Sequence, residues 1–144
     1  MGSWGVGPFD NDTADDFAIE VDEAPEGDQL RMLRAALLAV DGSEDSVDAF
    51  DALPAVAAAA LVARDLPGGE EFNSGNYGKV RSLPRMPKDL VLLATDVVDR
   101  LIGCFDELNE LLDWQGREDE WLALMRRLRN VLYGPPSGEQ VALW

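Results

Sequence analysis

Apolar residues recur along this chain at steps of three and four, the spacing of one helical face, and the pattern stops at clusters of glycine, proline and aspartate. Five segments carry it. The first begins inside the opening stretch "MGSWGVGPFDNDTADDFA", where Asn11, Asp12 or Thr13 can cap a helix and Thr13 with Asp16 approximates a capping box. The second runs from about Asp28 to Val40, with Leu30, Leu33, Leu37 and Val40 on one stripe and "DGSED" stopping it. The third covers about Ser46 to Leu66. Pro54 should kink it or mark the start of its second part, because an interior proline lacks the N–H and crowds the preceding turn. Its alanine-rich "AVAAAALVA" gives a small face that a neighbouring helix can approach closely.

The fourth helix is expected from Pro87, a residue suited to the first helical position. Its stripe of Leu90, Leu93, Ala94, Val97, Leu101, Phe105, Leu108 and Leu112 can continue to about residue 113, with a weak point at Gly103. The fifth runs from about Glu118 to Leu132 on Trp121, Leu124, Met125, Leu128, Val131 and Leu132. A short "WQGRE" turn between them predicts an antiparallel hairpin. The remainder is less regular. Residues 1–11 read as an N-terminal arm and residues 67–87, "PGGEEFNSGNYGKVRSLPRMP", as a long surface loop with a short extended piece at "GKVRSL". Residues 134–144 form a tail in which Val141, Leu143 and Trp144 favour docking over exposure to water. The expected fold is all-α, a single compact bundle of about five helices forming one helical domain over residues 1–144.

Length supports that expectation, since 144 residues with 47% hydrophobic content can bury a core without staples. The longest apolar run is far short of the roughly 20 residues that cross a bilayer, and the N-terminus lacks a secretory pattern. One cysteine, Cys104, forms no internal disulfide and lies in an apolar stretch that predicts a buried thiol. The expected location is cytoplasmic, with no membrane association.

Charge changes the picture more than size does. The formal net charge is −16, from 28 acidic and 12 basic residues, which argues against nucleic-acid binding. Its distribution is uneven. Residues 1–72 hold 17 acids and three arginines, a balance of −14, whereas residues 73–144 hold 11 acids and nine bases, a balance of −2. The concentrated basic cluster is Lys79, Arg81, Arg85 and Lys88, which either binds a partner or lies back over the acidic half.

Candidate chemistry is narrow. With no histidine in the chain, the usual general base at neutral pH and the common nucleophile and zinc arrangements are missing. Asp10 and Asp12 match the first and third positions of an EF-hand loop, but Ala14, Asp15 and Val21 break the pattern at the fifth, sixth and twelfth. Asp12, Asp15 and Asp16 remain candidates for a looser divalent-cation site. No other cofactor is implied, and no catalytic residue can be named.

The opening string resembles a bacterial family known as domain of unknown function 4259, through Gly2, Trp4, Gly5, Gly7, Phe9, Asp10, Asn11, Asp12, Asp16 and Phe17. The alanine-rich helix, the "ELNELLDW" segment at 107–114 and "EWLALMRRL" at 120–128 extend the likeness over most of the chain. The resemblance brings no established activity. Trp4 and Phe9 read as anchors that pin the arm to the bundle, with Asn11 capping the first helix.

Two functions from different classes follow. One is a non-catalytic, acidic interaction protein that binds a basic protein, as inhibitors and immunity-type proteins do, through Asp10, Asp12, Asp15, Asp16, Glu20, Asp22 and Glu23. The alternative is a carboxylate-dependent metal-binding or hydrolytic domain built on Asp10, Asp12, Asp15 and Asp16. A third arrangement, self-association through Trp114, Trp121 and the tail, would give a small homo-oligomer in place of a monomer.

Overall fold

A computed structural model of the chain describes residues 12–42, 49–64, 66, 69, 83, 86–104 and 118–133. Within them lie five helices and no strand: α1 (Asp12–Glu23), α2 (Glu26–Asp41), α3 (Ala49–Arg64), α4 (Lys88–Gly103) and α5 (Glu118–Tyr133). The helices pack into the expected all-α bundle. α3 occupies its middle and touches the other four, while α1 meets α2, α2 meets α4, and α4 meets α5 around it.

Each boundary has a local cause. Two residues, Ala24 and Pro25, separate α1 from α2. Pro25 holds an extended backbone at φ −61° and ψ 152°, and its carbonyl accepts from the N–H groups of Asp28 and Gln29 at 2.8 and 3.1 Å. Helix α2 therefore begins two residues before the expected Asp28. Pro87 does the same for α4: it caps the helix from outside at φ −66° and ψ 150°, one position ahead of the first turn where the sequence places it. Helix α2 ends at Gly42, whose N–H reaches the Leu38 carbonyl at 2.8 Å in a right-handed conformation.

The α4 stripe breaks where the sequence is weakest. The helix ends at Gly103, and the Cys104 N–H bonds the Arg100 carbonyl at 2.9 Å; its expected continuation to residue 113 lies outside the described residues. That end also corrects the reading of Cys104. Positioned just past the last turn, the thiol is half-buried against the core and not enclosed within it.

Helix α3 departs furthest from expectation. It is continuous from Ala49 to Arg64, so Pro54 sits inside it and does not begin a separate second part. The proline removes the N–H that would pair with the Phe50 carbonyl, a cost of about 3 kcal/mol in an isolated helix interior. Packing offsets that cost. Asp51 in the first turn is exposed, but every residue from Ala55 to Arg64 is buried, so this longer part of the helix presents no solvent face, where the sequence suggested one close-packing alanine face. A helix enclosed on all sides must be apolar all round, and alanine achieves this with little volume. Leu33, Leu37, Leu90, Leu101, Met125 and Leu128 from the neighbouring helices fill the surrounding space and are fully buried.

Beyond α3 the chain doubles back over the helix end. Leu66 N–H donates to the Ala63 carbonyl and Gly69 N–H to the Leu66 carbonyl, both at 2.9 Å. Gly69 is buried so close to α3 that a Cβ there would lie 2.0 Å from the Ala63 oxygen, and only glycine fits.

Polar contacts tie the outer helices together. Gln29, 6% exposed, donates from Nε2 to the Val21 carbonyl at 2.8 Å and so fixes the start of α2 against the end of α1. Arg34 Nη1 donates to Asp89 Oδ2 at 2.9 Å, linking α2 to α4. On the α4–α5 seam, Arg129 Nε pairs with Asp99 Oδ1 while the Tyr133 hydroxyl donates to Asp99 Oδ2 at 3.0 Å. The Arg129 guanidinium also lies 4.9 Å from the centre of the Tyr133 ring. The Tyr133 side chain first, and the Asp99 charge second, raise the Arg129 pKa above its ordinary value. Among the described residues no helix is long and apolar enough to cross a membrane.

Candidate interaction surface

Helix α1 has two unlike sides, and the inner one sets the direction of the outer. Ala18 and Val21 are buried and Phe17 is half-buried against the core, and α1 rests on α3 and α2. With that side turned inward, Asp16, Ile19, Glu20 and Glu23 are exposed and Asp22 is half-buried. The acidic surface continues onto the first turn of α2 through Glu26, which is exposed, and Asp28, which Arg31 Nη2 meets at 2.7 Å. From position 12 to 28 the chain carries eight carboxylates and no base.

Two features of this surface are unfavourable for the helix that bears it. Aspartates near the start of α1 suit the positive end of its dipole, but Glu20, Asp22 and Glu23 lie at the opposite end, and no basic residue occupies the last turn. Carboxylates at i and i+4, as in Asp12 with Asp16 and Asp16 with Glu20, repel each other along the surface. The helix dipole suits the first aspartates and not the later acids.

Ile19 was not singled out by sequence reasoning, although its signal is present there. It is 39% exposed, and the residues at i−4, i−3, i+3 and i+4 are Asp15, Asp16, Asp22 and Glu23. On a helix these four positions surround the central one. Among the described side chains, Ile19 is thus an exposed apolar point beside the exposed carboxylates of Asp16 and Glu23.

The described residues bring together only part of the expected site. Asp16, Glu20, Asp22 and Glu23 share α1 with its exposed acidic side. The backbone of Asp12 and Asp15 belongs to the first turn of α1, but their side chains, together with Asp10 and the anchors Trp4, Phe9 and Asn11, lie outside what the structure describes. The same is true of Lys79, Arg81 and Arg85, while Lys88 opens α4 in an exposed position. Among the described residues, no three carboxylate or cysteine side chains converge in a way that could hold a metal ion. Trp121 is 3% exposed and belongs to the core.

With the bundle and its acidic helix in view, the chain's kinship can be stated. Residues 2–123 match the family model for a domain of unknown function, number 4259, and the chain belongs to that family. The match spans the opening string, helices α1 to α4 and the first turn of α5. No curated protein and no solved structure matches the chain at a significant level.

Proposed function

We propose that this chain is a non-catalytic interaction protein whose acidic α1 surface engages a basic protein, in the manner of inhibitors and immunity-type proteins that occupy the charges a target uses for its own ligand. The observation that carries this reading is the placement of Glu20 and Glu23 at the end of α1, exposed and where carboxylates work against the helix dipole. Ile19 refines the partner's chemistry. An exposed isoleucine flanked by the exposed carboxylates of Asp16 and Glu23 complements a shallow apolar pocket bordered by lysine and arginine, with apolar contact at the centre and charge at the rim. Rim charges of this kind chiefly accelerate encounter and reject wrong partners.

The test is affinity capture from the source organism's lysate by the intact tagged chain, beside a variant carrying Asp16→Lys, Glu20→Lys and Glu23→Lys. A basic protein retained at about 50 mM salt, released near 500 mM where the screening length falls to a few ångströms, and absent from the variant's eluate is the expected result. Retention by both proteins at both salt levels would overturn the proposal.

A further inference from the structure

We draw no further inference here: the strongest candidate, the exposed apolar stripe of Ala35, Leu38 and Ala39 along α2, carries nothing because nothing in the structure shows what covers it.

Discussion

Helices α1 and α3 pack against each other, yet they obey different constraints. In α3 the neighbours surround the chain, and volume decides each residue from Ala55 onward. In α1 packing decides only the inner side, where Ala18 and Val21 meet the bundle. The outer side is free to be anything soluble, and it is filled with like charges that oppose one another and, toward the end, the dipole. The difference teaches where to look for function in a protein without a catalytic motif. Residues that the fold requires explain themselves by packing; residues that the fold would be better without call for another account.

Substitutions can test how deep that contrast goes. The largest loss is expected from Ala58→Asp, which places an uncompensated carboxylate inside α3; about 4 kcal/mol or more should be lost, read as failure to fold or a collapsed denaturation midpoint. A cooperative transition near that of the parent would show that α3 is not enclosed. Gly69→Ala comes next, at about 1–3 kcal/mol, because the new methyl group meets the Ala63 carbonyl at the turn over the end of α3. Urea titration measures it, and an unchanged midpoint would mean that the turn relaxes freely.

Gln29→Ala should cost about 1 kcal/mol. The Val21 carbonyl loses the side-chain donor but retains a 3.2 Å contact with the Ala24 N–H, and thermal unfolding followed by circular dichroism would register the change. The smallest effect has the opposite sign. Glu20→Lys with Glu23→Lys replaces two acids at the end of α1 by residues the dipole favours, so stability should rise by roughly 0.5 kcal/mol even as partner capture fails. A fall in melting temperature would mean that these acids support the fold, and the contrast between the two helices would lose its functional meaning.

Helix number, order and most inward residues were legible because amphipathic spacing is imposed by the bundle itself. Leu33, Leu37 and Val40 in α2, and Trp121, Leu124, Met125 and Leu128 in α5, are buried as their spacing predicts. Helix α3 was harder to read, since a segment apolar on every side has no periodicity to show which side faces inward. Pro54 left two readings open, a kink or a second start, and the continuous helix removes the second. Gln29 gave no sign of being interior, because its burial depends on a carbonyl eight residues earlier that only the α1–α2 turn brings near. The acidic surface was legible as charge. Its exposed isoleucine emerged only once Ala18 and Val21 had fixed which side of α1 faces out.

The enclosure of α3 also makes this helix a clock for the whole molecule. Its backbone amides from Ala55 to Ala63 have no water beside their side chains, and no partial opening of one outer helix uncovers them all. Deuterium should therefore enter these amides chiefly when the entire bundle comes apart, so their exchange rate reads out the global unfolding equilibrium. Amides on the outer side of α1 can exchange through local fraying, well before the centre does. A single isotope-labelling time course would then separate the permanence of the scaffold from the mobility of the surface it carries.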